Sequence, residues 1–486
     1  MSPTPTQCVR RHLPWALLAG LILRVVLVLL CREDVLGGDA ATYERLARNL
    51  IEHNTFSAEE NAPFTPTVVR APFTALALST SYRIFGVSNL TAHALLIFVG
   101  LAGMVVLALG VGRRMPSLQV PILWSLVLSP FGGIYASRLL SETFASSAIS
   151  IAVGTLLMAK PGRSAVLAGC ALGVAALTRD VYLPLLVLLP LAAAALSRGT
   201  ENPFRWGHVL LSIALSAAVV APWTLRNALA GKPAVVSKGL MGVNLWIGTW
   251  ERNPKWMHGE HDYPAEAYDS PQQARQVAEL RRDPADGDAT FRKMAIERMK
   301  SQPGRTLAVW LLRAPYLWIG SRAELFEFRP DFLARGRPAW TLVKSAAWGL
   351  NLLVLAFSIL GAAFVVKARH PLSLLLVPVL FTALVYLPFH STENRYSEPV
   401  FALVVVLAIL GASAARHWVR SLASAYSGGF EAGDVRVLGL RSSRRIEHSS
   451  LANGVDRRVE ATHSLEDVSD PVVQISAPRL DAGSSL

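Results

Sequence analysis

Residues 38–50 read GDAATYERLARNL and follow the first apolar segment of the chain. Within this stretch Tyr43, Leu46 and Leu50 recur at the spacing that puts an apolar stripe on one face of a helix. Charged side chains occupy the opposite face. Such a helix can lie flat at the boundary between lipid and water. The stretch therefore predicts an amphipathic helix at a membrane surface, with Asp39 at its start.

Asp39 has two interpretations. Asp is a favoured N-cap residue, and Asp39 stands where this helix would begin. A carboxylate just outside a membrane helix is also where a membrane enzyme would keep a general base. The spacing alone favours neither, and the rest of the chain has to decide between them.

The composition is that of a polytopic membrane protein. Of 486 residues, 52% are hydrophobic and only 17% are charged, whereas ordinary soluble domains carry about 25% charged residues. Lys and Arg in cytoplasmic loops explain the net charge of +13, so no nucleic-acid partner is expected. The three cysteines, Cys8, Cys31 and Cys170, are scattered and indicate no disulfide framework.

Ten stretches have the apolar character of spanning helices, which need about 20 mostly apolar residues. They are 14–32, 90–112, 118–136, 139–159, 164–178, 181–197, 208–223, 342–366, 371–389 and 399–415. The predicted fold is an all-α bundle of about ten transmembrane helices, within a range of 9 to 13. No small-residue cleavage site follows the first apolar run, so it is interpreted as a retained helix.

Basic residues orient the bundle. With the N-terminus inside, every inner connection carries Lys or Arg, as short cytoplasmic loops do. These residues are Arg10, Arg11, Arg113, Arg114, Lys160, Arg163, Arg198, Arg205, Lys367, Arg369, Arg416 and Arg420. The sequence therefore predicts a multi-pass protein of the plasma membrane with both termini in the cytoplasm.

The outer side receives a second group of ionisable residues. It comprises Asp39, Arg70, Arg138, Glu142, Arg179, Asp180, Arg226 and the segment HSTENRYSEP at 390–399. Their convergence suits an active site at the outer face, while exposure to water explains any one of them equally well. On a helix, Arg138 and Glu142 would share a face, either as a structural ion pair or as part of that site. Arg24 lies inside the first span, where an Arg usually faces the bundle or a cavity; pairing with a carboxylate or a lipid phosphate, and snorkelling, are the alternatives.

The charges also define the domains. Residues 1–420 form the membrane domain, with outer loops at about 33–89 and 227–340. The apolar stretch 71–87 is interpreted as a second interfacial helix, because a span there would invert every later loop. Residues 421–486 lose the apolar periodicity and are predicted to be a disordered cytoplasmic tail.

The longer outer loop has soluble character and predicts helices. Residues 270–283 and 288–300 have helical patterns, with Asp288 as an N-cap. Residues 303–320 are rich in aromatic side chains and suit an interfacial helix. The sequence DPADGD at 283–288 lacks the remaining ligand spacing of a calcium site and is interpreted as a turn.

Five motifs resemble the GT-C class of membrane glycosyltransferases, in particular its protein O-mannosyltransferase and lipid A aminoarabinose transferase branch. They are GDAATYERLARNLIEHNTFS at 38–57, RAPFTALALSTSYRIFG at 70–86, SRLLSETF at 137–144, APWTLRNALAGKPAVVSKGLMGVNLWIG at 221–248 and ENRYSEPV at 393–400. They occur in the order and spacing of that branch. Protein mannosyltransferases carry an Asp-Glu pair in the first loop, whereas Ala40 follows Asp39 here, which weakens a specific mannosyl-to-protein interpretation.

The resemblance implies a GT-C-like bundle that transfers a sugar, with inversion, from a polyprenyl-phosphate donor at the outer membrane face. The acceptor would be a hydroxyl or phosphate of a protein, lipid or glycan. The resemblance makes Asp39 the catalytic base and puts Glu142, as a second catalytic candidate, near it. It also places Arg395 and Tyr396 near the donor phosphate, with the outer aromatic belt as the alternative for Tyr396. Guanidinium groups stay charged and bind phosphate in a bidentate fashion. Further candidates for the phosphate are therefore Arg226, Arg70 and Arg138.

Other functions stay open at this point. A transporter or flippase of lipid-linked sugars would share the basic outer cleft, but transporters often show internal repeats, and none is found. A glycan polymerase or ligase of similar fold, or a non-catalytic scaffold, is also compatible. The sequence requires no cofactor; some relatives in this class bind a divalent cation, so metal dependence stays open. The expected partners are the donor, the acceptor and membrane lipids.

Overall fold

The computed structural model describes residues 5–31, 38–158, 160–200, 202–251, 267–280, 284–322, 326–389 and 394–427. This part of the chain is helical, with one isolated β-bridge between Cys31 and Phe328. Its α-helices are α1 (Pro5–Leu30), α2 (Gly38–Glu52), α3 (Phe73–Phe85), α4 (Asn89–Arg114), α5 (Gln119–Val127), α6 (Pro130–Ile134), α7 (Glu142–Leu156), α8 (Pro161–Thr178), α9 (Leu185–Leu196), α10 (Trp206–Leu229), α11 (Met241–Gly248), α12 (Pro271–Leu280), α13 (Pro284–Ser301), α14 (Pro303–Arg313), α15 (Pro338–Lys367), α16 (Leu376–Tyr386) and α17 (Glu398–Ser427).

The described residues contain seven helical stretches that are long and apolar enough to cross a membrane. They are Val9–Leu30, Asn89–Arg114, Pro116–Ser137, Pro161–Thr178, Trp206–Leu229, Pro338–Lys367 and Asn394–Ser421. The other three predicted spans correspond to shorter apolar helices, namely α7, α9 and α16. The predicted all-α membrane bundle is therefore confirmed, with ten apolar elements of unequal length.

Helix α7 lies inside the bundle. It has 15 residues, nearly all of them buried, and it packs against α4, α8 and α17. The approach to α4 is close, because a Cβ on Gly110 would lie 2.1 Å from the carbonyl oxygen of Gly154. Small residues permit such packing between membrane helices. Since protein and not lipid surrounds α7, its length need not match the thickness of the bilayer.

Arg24 of α1 faces the bundle and is 1% exposed. Its guanidinium donates to the carbonyl oxygens of Gly20, at 3.1 Å, and Val127, at 2.7 Å, and to the sulfur of Met104 at 2.9 Å. The predicted orientation toward the bundle is confirmed, whereas the alternatives of a carboxylate partner and of snorkelling are wrong. Backbone carbonyls satisfy this intramembrane charge.

Helix α7 runs between the two ends of the bundle, and its contacts show which residues lie at each end. At one end Arg114 donates to the carbonyl oxygen of Leu157 at 2.9 Å, just beyond the last residue of α7. Trp124 contacts His12 near the start of α1, at 3.2 Å. The other end of α7 is Glu142, about 20 Å away for a helix of this length. Glu142 therefore belongs to the end of the bundle that lies opposite Arg114.

Helices α2 and α3 confirm the two predicted helices of the first loop. They pack against each other, and Arg83 of α3 donates to the carbonyl oxygen of Leu50 at 2.9 Å. Tyr43 and Leu46 form part of the buried face of α2. At 13 residues, α3 is too short to span a membrane.

The long loop between α10 and α15 has a small core of its own, around Trp246 and Phe291, whose rings are 5.3 Å apart. The predicted helices appear as α12, α13 and α14. The prediction that Asp288 caps its own helix is wrong, because α13 begins before it, at Pro284. Its carboxylate instead accepts from the backbone amides of Gly242, at 2.7 Å, and Val243. Asp288 thus caps α11 from a neighbouring helix.

Helix α17 continues to Ser427. The tail predicted to be disordered, 421–486, therefore begins within this helix, and residues 421–427 are helical. Residues 428–486 lie outside the described residues, and their disorder stays a prediction.

Candidate active site

Asp39 is the second residue of α2 and lies at one end of the bundle. Its Oδ2 accepts a hydrogen bond from Arg395 at 2.6 Å, and its Oδ1 accepts one from Arg70. The side chain is therefore engaged by two guanidinium groups and not by backbone amides. This geometry favours a place in a charged site over the role of a helix cap.

Glu142 begins α7, and its Oε1 lies between two guanidinium groups, those of Arg179 and Arg395. Arg179, directly after α8, donates to it at 3.1 Å. Arg395 donates to it through Nε. Because Arg395 uses Nη2 for Asp39, one guanidinium joins the two carboxylates. The planar fork of Arg suits such a bridge, which the single ammonium of Lys could not form.

These five residues make up the charge cluster: Arg70, Asp39, Arg395, Glu142 and Arg179. Three guanidinium groups and two carboxylates leave one net positive charge. Four separate parts of the chain supply them: the first loop, the start of α7, the end of α8, and the turn before α17. The excess charge makes the cluster a natural place for an anion.

The charge cluster is partly exposed at Asp39 and Arg70 and buried at Glu142. The side chain of Asp39 is 25% exposed and that of Arg70 is 35% exposed. Arg395 is 13% exposed, and Glu142 is fully buried. A bound molecule could therefore touch Asp39 directly, whereas Glu142 can act on it only through the arginines.

The electrostatics of the charge cluster keep Asp39 ionised. Burial alone would raise the pKa of its carboxyl group. The positive charges of Arg395 and Arg70 and the hydrogen bond from Arg395 outweigh burial, so the pKa of Asp39 lies below its ordinary value. Tyr43, one turn along α2, is buried, and burial raises the pKa of its hydroxyl. The phenol is therefore neutral beside the charge cluster.

Tyr396 stacks beneath two of the arginines. Its ring centre is 5.0 Å from the guanidinium carbon of Arg179 and 5.7 Å from that of Arg395. The ring of Tyr386 is 5.2 Å away. Cations placed over aromatic faces are attracted by the ring electrons. Tyr396 thus supports the orientation of the arginines that flank Glu142.

Arg138 departs from the sequence prediction. The backbone is extended at Arg138, and α7 starts only at Glu142, so the two residues do not share a helical face. The guanidinium of Arg138 instead lies 5.9 Å from the ring centre of Phe326. Its charge is nonetheless close enough to Arg395 to lower the pKa of Arg138, after the larger effect of burial.

Arg226 lies near the end of α10 and contacts aromatic rings. Its guanidinium carbon is 4.9 Å from the ring centre of Trp223 and 5.8 Å from that of Phe56. It also donates to Asn227 at 3.0 Å. These contacts differ from those of the charge cluster, in which each arginine binds Asp39 or Glu142.

No group of three or more His, Cys, Asp or Glu side chains in the described residues could hold a metal ion.

No protein-family model matches the chain, and no curated protein matches it. Several solved structures are similar to it. The oligosaccharyltransferase of Archaeoglobus fulgidus, tethered to an acceptor peptide, is 17% identical over 87% of this chain and 52% of its own, with a TM-score of 0.47. The same enzyme with an inhibitory peptide and a dolichol-phosphate has 17% identity over 88% and 53%, with a TM-score of 0.44.

A third similar structure is ArnT from Cupriavidus metallidurans bound to undecaprenyl phosphate. It is 15% identical over 82% of this chain and 77% of its own, with a TM-score of 0.37. The chain spans about half the length of the oligosaccharyltransferase. These likenesses concern the course of the backbone and assign no role to a residue.

Arg179 belongs to the charge cluster, although the sequence does not predict it as a site residue. The sequence predicts its position on the outer side but not its partner, since 37 residues separate it from Glu142. The one available signal is its place directly after an apolar stretch, where a charged residue can meet those of other helix ends.

Proposed function

We propose that this protein is an integral-membrane glycosyltransferase. It moves a hexose or pentose from a polyprenyl-phosphate donor to an acceptor hydroxyl or phosphate, with inversion, at the outer face of the membrane. The observation that carries this proposal is the bridge that Arg395 forms between Asp39 and Glu142. It sets a base and a phosphate-binding cation side by side at one end of an apolar bundle.

The donor phosphate is expected to bind Arg395 and Arg70. Both are partly exposed, both contact Asp39, and the charge cluster has an uncompensated positive charge. A phosphate arriving here competes with Asp39 for N–H donors, and charge-assisted bonds of this kind are strong. Once the phosphate accepts some of these hydrogen bonds, the arginines stabilise the ionised form of Asp39 less strongly. The pKa of Asp39 then rises, and the carboxylate becomes a better base.

The chemistry follows as a single displacement. The acceptor oxygen attacks the anomeric carbon, and its proton passes to the carboxylate of Asp39. The bond from that carbon to the phosphate oxygen breaks, and the phosphate leaves with the electron pair. Arg395 stabilises the charge that develops on it. A positioned base contributes about 10²- to 10⁴-fold in rate.

Glu142 acts through the arginines. It is fully buried, and its Oε1 holds both Arg395 and Arg179. A buried carboxylate paired in this way fixes the direction of a guanidinium at the cost of desolvating the pair. We assign Glu142 to holding the phosphate-binding arginine in place.

The remaining candidates have weaker links to the donor phosphate. The ring of Tyr396 packs against the guanidinium group of Arg395. The positive charge of Arg138 is close enough to that of Arg395 to interact with it. Arg226 is stacked on aromatic rings, where it suits the phosphate of a membrane lipid as well as that of the donor. The basic residues at the Arg114 end support a cytoplasmic position for that end, and we propose that the charge cluster lies at the outer face.

The test is transfer by the purified protein in nanodiscs from a panel of polyprenyl-phosphate sugars, with protein, lipid and glycan acceptors. Transfer of one sugar with inverted anomeric configuration would support the proposal. If no sugar is transferred but lipid-linked sugar crosses the bilayer of proteoliposomes, the protein is a flippase. Repeated addition to a growing glycan would instead identify a polymerase of similar fold.

A further inference from the structure

We infer that two buried arginines of the loop between α10 and α15, Arg313 and Arg322, are positioning residues for Arg395. The inference rests on the proposed function, because it concerns how the phosphate-binding arginine is held. Both arginines are 0% exposed in their side chains. They cannot touch a substrate, so any effect on the reaction passes through the segment they bind.

Arg322 binds the turn that carries Arg395. Its guanidinium donates to the carbonyl oxygen of Asn394 at 3.2 Å, to the hydroxyl of Ser397 at 2.7 Å and to the carboxylate of Glu398 at 3.0 Å. One side chain thus contacts the residue before Arg395 and the second and third residues after it. These contacts restrict the backbone conformation of the turn that contains Arg395.

Arg322 is itself firmly held. Its guanidinium carbon lies 3.5 Å from the centre of the Phe401 ring. Its backbone has a φ of 56°, in the left-handed region that a residue with a Cβ rarely adopts. Such a conformation persists only where the surroundings determine it, and it is often found at functional sites.

Arg313 binds the beginning of the same connection. At the end of α14, it donates to the carbonyl oxygens of Leu387, at 2.9 Å, and Phe389, at 2.8 Å. It also lies 3.6 Å from the buried carboxylate of Glu251. Arg313 therefore fixes the residues that follow α16, as Arg322 fixes those that precede α17.

Two glycines allow the loop to approach this connection closely. A Cβ on Gly248 would lie 2.0 Å from the carbonyl oxygen of Pro388, and one on Gly320 would lie 1.9 Å from the side-chain nitrogen of Asn394. Each glycine stands at one of the two regions that the arginines bind. The loop thus contacts the connection between α16 and α17 near both of its ends.

The hydrogen bonds explain why both residues are arginines. Arg322 donates through Nη1 to a carbonyl and a carboxylate and through Nη2 to a hydroxyl. A guanidinium holds such donors in a fixed plane, whereas a lysine offers a point charge, so Lys should replace Arg322 poorly. Both carbonyls bound by Arg313 accept from Nη2 alone. A lysine side chain ends one bond short of that nitrogen, so Lys should also bind these carbonyls poorly.

The experiment compares Arg322→Lys, Arg313→Lys and the milder Ser397→Ala with wild type. Arg305→Lys, at an exposed arginine on α14, is the matched control. Binding of undecaprenyl phosphate to each protein in nanodiscs is measured together with amide hydrogen exchange in residues 387–389 and 394–398. We expect affinity to fall about tenfold in both lysine variants, with faster exchange in those residues and an unchanged control.

Charge-balanced variants guard against loss of folding. Arg322→Gln with Glu398→Gln, and Arg313→Gln with Glu251→Gln, remove each pair without leaving a lone buried charge. If folded variants bind undecaprenyl phosphate as wild type does, Arg313 and Arg322 are only structural and the inference is overturned. If wild type itself does not bind undecaprenyl phosphate, the proposed function fails first.

Discussion

Arg395 and Asp39 lie 2.6 Å apart across 356 residues of sequence. The contact brings the beginning of the first loop and the start of the last membrane helix to one point. Without a donor, it holds the base in an ion pair; with a donor, the same guanidinium has to serve the phosphate. Donor binding and activation of the base are therefore expected to be coupled through this residue.

The first prediction concerns Asp39 as the base. Asp39→Asn keeps the shape of the side chain but removes the carboxylate, so transfer should fall at least about a hundredfold. Binding of the polyprenyl phosphate should stay or strengthen, because the arginines lose a competing anion. Initial rates and titration with undecaprenyl phosphate measure the two effects. Glu52→Gln on the same helix is the control, and equal activity of Asp39→Asn and wild type would rule out the base.

The second prediction concerns the shape of the cation at position 395. Arg395→Lys keeps the charge but cannot bridge Asp39 and Glu142. Loss of one charge-assisted hydrogen bond corresponds to about tenfold to a hundredfold in affinity for the donor. Arg420→Lys, at an exposed residue of α17, should bind as wild type does. A lysine variant with full donor affinity would show that the bridge is not needed.

The sequence predicts the helices and names four of the five residues of the charge cluster as candidates, but it does not predict their pairing. Helix α2 follows from its period, and Asp39, Glu142 and Arg395 follow from motifs at helix ends. The partners of Glu142 do not, because they depend on how α8 and α17 pack beside α7. The break before α7 was also missed, since nothing in the spacing of Arg138 and Glu142 excludes a continuous helix.

The third prediction concerns stability of the long loop. Asp288→Ala removes the acceptor for the amides of Gly242 and Val243, which should cost about 1 kcal/mol. Asp288→Asn keeps an acceptor oxygen and should cost much less. Thermal unfolding followed by tryptophan fluorescence is suitable, because Trp246 belongs to α11. An Ala variant that melts at the wild-type temperature would show that the cap contributes nothing.

The last prediction is a shift in pH dependence. The pKa of Asp39 is lowered from its ordinary 3.8 in the folded protein. Its ion pairs therefore stabilise the fold above about pH 4, and this stability is lost as pH falls through the lower, folded pKa. In the donor-free enzyme the base is already ionised at neutral pH, so kcat/KM should stay level from pH 7 to about 5.

Arg70→Gln tests this electrostatic account. It removes one of the two nearest positive charges, while burial continues to favour the protonated form, so the pKa of Asp39 should rise. The acid limb of kcat/KM should then move to higher pH, in addition to any loss of donor affinity. Arg83→Gln removes an equal charge near Leu50, at the far end of α2, and should leave the limb in place. An Arg70→Gln profile with the wild-type acid limb would mean that Arg70 does not set the protonation of Asp39.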